Sequence, residues 1–203
     1  SEAKSKFLAN MSHELRTPVA VIRANSESLV DGALDDKEIA QKFSNAILKN
    51  SEKLSYLLED ILNLSTIESG EYNLELAEND VLDIFTNSIN SVISNNPDVK
   101  IINNISSDVE VICDVKALSQ VIDNLIENSV KYGISKECNE IIINMKDQGS
   151  KVRFEIEDRG QGIPADQRER VFERFYRIQN NNTSLKEGTG LGLSIVKNLV
   201  NLM

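Results

Sequence analysis

The first seventy residues carry a constraint that few folds satisfy. Leu8, Leu15, Ile22 and Leu29 stand seven residues apart, and after a short break Ala40, Ile47, Leu54 and Ile61 repeat the interval. Phe43, Leu57 and Leu64 run beside the second series, with Asn50 as a polar interruption. Such spacing places the apolar side chains on one stripe of a helix and requires another helix to cover it. Asp31-Gly32-Ala33-Leu34-Asp35-Asp36 breaks the pattern with turn and N-cap residues. Residues 1 to about 30 and about 37 to 69 are therefore expected as two antiparallel helices. Leu58 and Leu62 widen the stripe beyond what one hairpin can bury, so a homodimer forming a four-helix bundle is expected. A purely structural coiled-coil hairpin carries the same periodicity.

In that register His13, the only histidine of the chain, falls opposite the stripe and faces solvent. This position disfavours a packing role. A neutral imidazole is a competent nucleophile at neutral pH. Glu14 can hold one ring nitrogen and leave the other to attack, while Thr17, at i+4, shares the face. Pro18 lacks an N–H and collides with the Glu14 carbonyl, so a bend is expected just beyond the reactive residue. The run Ser12-His13-Glu14-Leu15-Arg16-Thr17-Pro18 resembles the signature of the dimerisation and phosphoacceptor segment of sensor histidine kinases.

Length and composition bound the rest. A chain of 203 residues holds one large domain or two small ones. Hydrophobic residues at 40% supply a core, and the absence of Trp makes it aliphatic. The net charge of −10 divides into −3 for residues 1–70 and −7 for the remainder. Nucleic acid and acidic membrane surfaces are poor partners for either part. Cys113 and Cys138 lack metal or redox spacing and fit a reduced compartment. No apolar run in these residues is long enough to span a bilayer, and no signal peptide is expected within them. The chain opens inside a helical pattern, so a piece of a longer protein is expected.

Glu68-Ser69-Gly70 should end the second helix, glycine being favoured just past a helix C-terminus. The boundary separates a helical domain, 1–69, from a mixed one, 70–203. Tyr72 to Leu76 alternates as a short strand, and Val81 to Ile93 reads as an amphipathic helix. Strands are expected at 100–105 and 109–113 around a Ser-Ser-Asp turn, then a helix over about 116–132. Two longer strands follow at 140–146 and 151–157. A glycine-flanked stretch, 159–189, holds a short helix near Val171-Phe172, and a last helix spans about 190–202. The expected fold is an α+β sandwich, a mostly antiparallel sheet covered on one face by helices. Gln179 to Thr183 is expected to be mobile.

Three stretches of this second domain carry chemistry. Asn124 and Asn128 stand at i and i+4, with Lys131 and Tyr132 one turn on, opposite Leu118, Ile122 and Leu125. Magnesium takes oxygen ligands and keeps several waters while bridging phosphates, so the Asn128 amide oxygen suffices. Lys131 can neutralise phosphate charge and Tyr132 can flank a base; a solvated polar face has the same composition. Asp158-Arg159-Gly160-Gln161-Gly162 follows a strand, where a carboxylate can accept from an adenine amino group and Gly160 and Gly162 admit a ligand to the backbone. A plain turn uses the same residues. Gly188-Thr189-Gly190-Leu191-Gly192 leads into a helix, whose amides and positive end suit phosphate. Its spacing is neither a P-loop nor a dinucleotide fingerprint. The stretch before it is net +2, counting Lys186 and Glu187 among its charges, as a phosphate-covering lid should be.

In the order NLIENSVKY, DRGQGI, VFERFYR and GTGLGL, downstream of SHELRTP, these blocks resemble the histidine-kinase catalytic domain, so the resemblance extends over essentially the whole chain. It implies the α/β sandwich shared by gyrase, heat-shock chaperones, histidine kinases and mismatch-repair ATPases. It implies Mg²⁺ on Asn128 supported by Asn124, and ATP phosphates on Lys131 and the Gly188, Thr189, Gly190, Leu191, Gly192 turn. It places adenine on Asp158, ring packing on Tyr132, lid anchoring on Phe172 and Phe175, and a phosphate contact on Arg174 or Arg177. His13 would be the phosphoacceptor, Glu14 its base, and Thr17 the residue that supports phosphatase activity. The implied partner is the receiver domain of a response regulator, and the implied location is the cytoplasmic part of a protein anchored in a bacterial inner or plasma membrane. Ser129 stands where the family has alanine and Glu187 where it often has glycine. The family fold continues past the last helix, so truncation after Met203 is expected. A hydrolase of the gyrase type would need a glutamate where this chain has Asn124, and a non-catalytic docking module would have no use for the intact Asn128, Asp158 and glycine blocks.

Overall fold

Helix α1 (Glu2–Val30) and helix α2 (Lys37–Ser69) form the expected hairpin in the computed structural model, which describes residues 2–106, 109–135, 138–178 and 188–203. Side chains are described from Phe7 onward. Asp36 caps α2 by accepting from the Glu38 and Ile39 amides at 3.0 and 3.1 Å. Gly70, at φ 73°, ends it by donating to the Ile67 and Thr66 carbonyls. Leu57, Ile61 and Leu64 are buried along α2. The α1 stripe is rotated from its expected centre: Leu8 is 51% exposed, whereas Met11, Leu15, Val21 and Ile22 are half-buried and Pro18 is fully buried. Helix α1 continues through Pro18 as one helical segment.

The chain divides into two compact units, Ser1–Gly70 and Glu71–Met203. In the second, strands β1 (Ala77–Asp80), β2 (Lys100–Asn104), β3 (Glu110–Cys113), β4 (Glu140–Asp147) and β5 (Val152–Asp158) alternate with helices α3 (Val81–Asn95), α4 (Val115–Asn128) and α5 (Gly192–Leu202). β1 pairs antiparallel with β3, and β4 lies between parallel β2 and antiparallel β5. Two of the three pairings are antiparallel, as expected; the parallel β2–β4 pair makes the three-stranded sheet mixed, and β1 and β3 form a separate two-stranded sheet. The long β2–β4 connection contains α4, which is the crossover a parallel pair needs. The expected strand at Tyr72–Leu76 is not formed, and pairing starts at Ala77 opposite Cys113. Beyond Cys113 the partner strand has turned into helix α4, so no ladder remains for it.

Burial follows the period of each element. β4 hides Ile141 and Ile143 on one face, and α3 and α4 cover them with Ile84, Phe85, Ile89, Leu118, Ile122 and Ile126. The Phe85 ring meets Phe154 of β5 at 5.0 Å between centroids, tilted by 42°. Each of these large side chains contributes about 1.5–3 kcal/mol through removal from water. Leu125 is only half-buried, and Ile126 takes the core position expected of it. α5 packs on α4 through Ile195 and Leu199, both fully buried. The regular turns of α4 stop at Asn128, and Ser129–Gly133 forms a π-helical turn rather than the expected α-helical continuation to Tyr132. Among the described residues no helix is long and apolar enough to cross a membrane.

Candidate functional site

On the hairpin, His13 projects from α1 with its side chain 77% exposed. The Glu14 carboxylate lies 3.8 Å from His13 Nδ1, close enough for charge interaction but beyond hydrogen-bond length. Thr17 shares the exposed side, and its hydroxyl donates to the His13 carbonyl at 3.4 Å. Glu14 is half-buried and Arg16 exposed. With Nδ1 turned toward Glu14, Nε2 is the nitrogen left for an incoming electrophile.

In the second unit the last turns of α4 gather three other segments. Asn124 donates from Nδ2 to the Gln120 carbonyl at 2.9 Å, which commits its Oδ1 to the opposite side. A Cβ on Gly192 would lie 2.5 Å from that Oδ1, so the glycine turn is pressed against Asn124. One on Gly188 would meet the Tyr132 hydroxyl at 3.2 Å. Asn128, half-buried, lies on α4 between those two contacts. Lys131 is bound to Glu127 at 3.0 Å in an exposed i,i+4 pair.

Asp158 meets the π-helical turn. Its Oδ1 accepts from the Gly160 amide at 2.9 Å. A Cβ on Gly133 would fall 2.3 Å from Asp158 Cβ and Cγ, and one on Gly160 would fall 2.7 Å from the Gly133 Cα and the Tyr132 carbonyl. Glycine is required at both positions for this approach. Gly133 was not among the expected site residues. The signal was a glycine directly after Tyr132, at the end of the helix pattern. Gly162 has φ 71° and open space around its Cα.

The glycine turn is fixed from two sides. Thr189 Oγ1 accepts from the Leu191 amide at 3.2 Å, and the Leu191 side chain is fully buried, so only its backbone is offered to a ligand. Gly190, at φ 71°, accepts the Phe175 amide at 2.8 Å, and Phe175 itself takes the left-handed φ of 58°. Phe172 is 37% exposed, and its neighbour Val171 is buried. Arg170 stacks on Tyr176 at 4.4 Å, and Tyr176 donates to Gln167 at 3.1 Å. Arg174 and Arg177 are exposed. The expectations for Gln179–Thr183, Lys186 and Glu187 lie outside the described residues, as does Asp108 of the Ser-Ser-Asp turn.

Among the described residues no group of three or more His, Cys, Asp or Glu side chains could hold a metal. The oxygens available are amides, Asn128 with Asn124 beside it, which suits a hard cation that takes most of its ligands from phosphate and water.

Comparison with known proteins follows these two regions. Residues 3–70 match the His Kinase A (phospho-acceptor) domain, and residues 113–203 match the histidine kinase-, DNA gyrase B-, and HSP90-like ATPase family. The chain is 32% identical over 201 residues to the sensor histidine kinase WalK of Bacillus subtilis, covering 98% of this chain and 33% of WalK. The histidine kinase AdeS of Acinetobacter baumannii shares the fold, with a TM-score of 0.75 at 24% identity over 94% of this chain and 87% of that one. Full-length ShkA, solved with AMPPNP, aligns with a TM-score of 0.66 at 26% identity, over 98% of this chain and 41% of ShkA. The chain spans between a third and a half of the curated relatives it matches.

Proposed function

Since this chain belongs to the sensor histidine kinases, we propose that it transfers the γ-phosphoryl group of ATP to His13 and then to an aspartate of a response regulator. Nε2 attacks the γ-phosphorus as its bond to the bridging oxygen breaks, and ADP departs. Attack leaves a positive charge on the ring, and Glu14 removes it by taking the Nδ1 proton, so that the phosphohistidine ring is neutral. The observation that carries this reading is the exposed His13 with the Glu14 carboxylate 3.8 Å from Nδ1. Phosphoryl transfer leaves little covalent work to the protein, so positioning and charge compensation account for most of the catalysis.

ATP binds the second unit in this reading, with adenine read by Asp158, the ring flanked by Tyr132, and phosphates on Lys131 and the amides of the Gly188–Gly192 turn. Arg174 or Arg177 adds a cation. ShkA bound to AMPPNP supports nucleotide binding on this fold. Mg²⁺, held by Asn128 with Asn124 in support, would neutralise phosphate charge. The phosphohistidine then passes its group to the carboxylate of the receiver domain, docked on the hairpin of a homodimer. Thr17, on the same face as His13, orients water for the reverse task of dephosphorylating that aspartate. The second unit is the ATP-binding part of a larger protein whose remaining segments would anchor it at a bacterial membrane.

Incubation with γ-labelled ATP and Mg²⁺ tests the reading. The wild type should acquire acid-labile, base-stable label, and His13→Gln should acquire none. Label that persists in His13→Gln would place the phosphoacceptor elsewhere, and a wild type that binds ATP without labelling would reduce the chain to a docking or phosphatase role.

A further inference from the structure

Phe175, at φ 58°, is the one non-glycine residue with positive φ among the described residues. It stands third in the turn Glu173–Tyr176, which the Tyr176 amide closes by donating to the Glu173 carbonyl at 3.2 Å. A third turn residue with positive φ is ordinarily glycine or asparagine, because a Cβ crowds the following carbonyl there. A bulky residue keeps such a conformation only where its surroundings hold it. Here the holding contact is with the glycine turn. The Phe175 amide donates to the Gly190 carbonyl at 2.8 Å. A Cβ on Gly190, itself at φ 71°, would fall 2.8 Å from the Phe175 Cα and 2.9 Å from its carbonyl carbon. Two left-handed residues from separate segments thus lie main chain against main chain.

This contact decides how the Gly190–Leu191 peptide is turned. A trans peptide carries its C=O and N–H on opposite sides. The Phe175 amide takes the oxygen, and Thr189 Oγ1 accepts the Leu191 N–H at 3.2 Å. Leu191 is also the N-cap residue of α5, and its buried side chain provides no cap. The Ile195 amide donates to the Leu191 carbonyl at 3.0 Å, so the helix itself offers no acceptor to the Gly192, Leu193 and Ser194 amides. Three glycines in five residues leave such a turn many conformations, and the clamp selects one. We infer that Phe175 is a positioning residue for the nucleotide phosphates and acts through its main chain: its N–H, held left-handed, fixes the Gly190–Leu191 peptide and so aims the first amides of α5. The role rests on the proposed kinase reading, in which the Gly188–Gly192 turn takes the phosphates. Adenine is read in that scheme by Asp158, whose contacts are with Gly133 and Gly160. The clamp should therefore act on the phosphates and leave the nucleoside alone.

Three variants separate the N–H from the ring. Phe175→Pro removes the donor and forces a negative φ. Gly190→Ala drives the two main chains apart from the other side. Phe175→Gly removes the ring but keeps the N–H and takes a positive φ freely. ATP and adenosine, each with Mg²⁺ present, are titrated into the full chain and followed by NMR, with thermal melts as a folding check. Phe175→Pro and Gly190→Ala should weaken ATP at least about tenfold while adenosine stays within about twofold, since the lost contacts are hydrogen bonds to charged phosphate. Phe175→Gly should hold the ratio of the two affinities within about threefold of the wild type, because the donor survives. That ratio decides, since general loosening of the fold weakens both ligands alike. If Phe175→Pro fails to fold, Gly190→Ala and Phe175→Gly decide. Parallel loss of ATP and adenosine overturns the role, as does a Phe175→Pro variant that binds ATP like the wild type. A Phe175→Gly variant as selectively weak for ATP as Phe175→Pro overturns it too, by assigning the effect to the ring. A wild type that binds ATP no better than adenosine overturns the phosphate site of the kinase reading itself, and this role with it.

Discussion

At position 160 a single added methyl group would meet the Gly133 Cα and the Tyr132 carbonyl at 2.7 Å, with the Asp158 carboxylate oxygen at 3.0 Å. Two of these are backbone atoms that cannot rotate aside. Gly160→Ala should therefore cost about 1–3 kcal/mol in thermal unfolding. It should also displace the carboxylate proposed to read adenine, and calorimetry should show ATP affinity reduced at least about tenfold. His13 lies at the opposite extreme, its side chain 77% exposed with the Glu14 carboxylate 3.8 Å from Nδ1. Thr17→Ala should leave labelling of His13 intact and slow dephosphorylation of the regulator by an order of magnitude or more, about the contribution of a positioned proton-transfer group. Unchanged dephosphorylation would remove Thr17 from that role.

Helices α3 and α4 meet across a polar contact that an aliphatic core would not need. Ser88 of α3 is buried and hydrogen-bonds to Asp123 of α4. Burial pushes the Asp123 carboxyl pKa up, the Ser88 hydroxyl opposes that, and the nearby Glu127 charge adds to it. With its folded pKa above the ordinary value of about 3.9, the native state holds this proton more tightly than the unfolded chain, and stability falls as pH rises through the folded pKa. Asp123→Asn should thus stabilise the second unit at pH 7, and chemical denaturation should show the gain vanishing below about pH 4. Asp114 has the opposite sign. Burial raises its pKa, but the Ala117, Glu75 and Lys116 amides outweigh that and hold it below the ordinary range. Its contribution is present above the unfolded pKa and is lost as pH falls through the lowered folded value. In the hairpin, Asp36→Ala removes the acceptor of two amides and should destabilise α2 by about 1 kcal/mol, measurable by helicity on heating.

On α2, Leu48, Tyr56, Leu58 and Leu62 are all exposed. Pairing with a second hairpin is the proposed cover. The double variant Leu58→Glu/Leu62→Glu should shift the chain from dimer to monomer in sedimentation velocity, because each introduced carboxylate would have to be desolvated without a partner. An unchanged dimer would place the interface on another face.

The sequence by itself determined the hairpin, its two caps, the exposed histidine and the order of the nucleotide-binding blocks. Each depends on short-range rules: the seven-residue period, Asp36 before a helix, Gly70 after one, and glycines at turns. Contacts between segments distant in the chain belonged to the tertiary structure. Parallel pairing of β2 with β4 depends on where α4 crosses, and the unpaired Tyr72–Leu76 stretch depends on where β3 stops. The π-helical turn at Ser129–Gly133 brings Gly133 against Asp158, a residue 25 positions away. Asp114 caps α4 through one oxygen, and its second oxygen reaches Glu75, 39 positions away in the chain. Local periodicity is set by backbone geometry and needs no partner; the roles of Gly133, Phe175 and Asp114 exist only where distant chain segments close on one another.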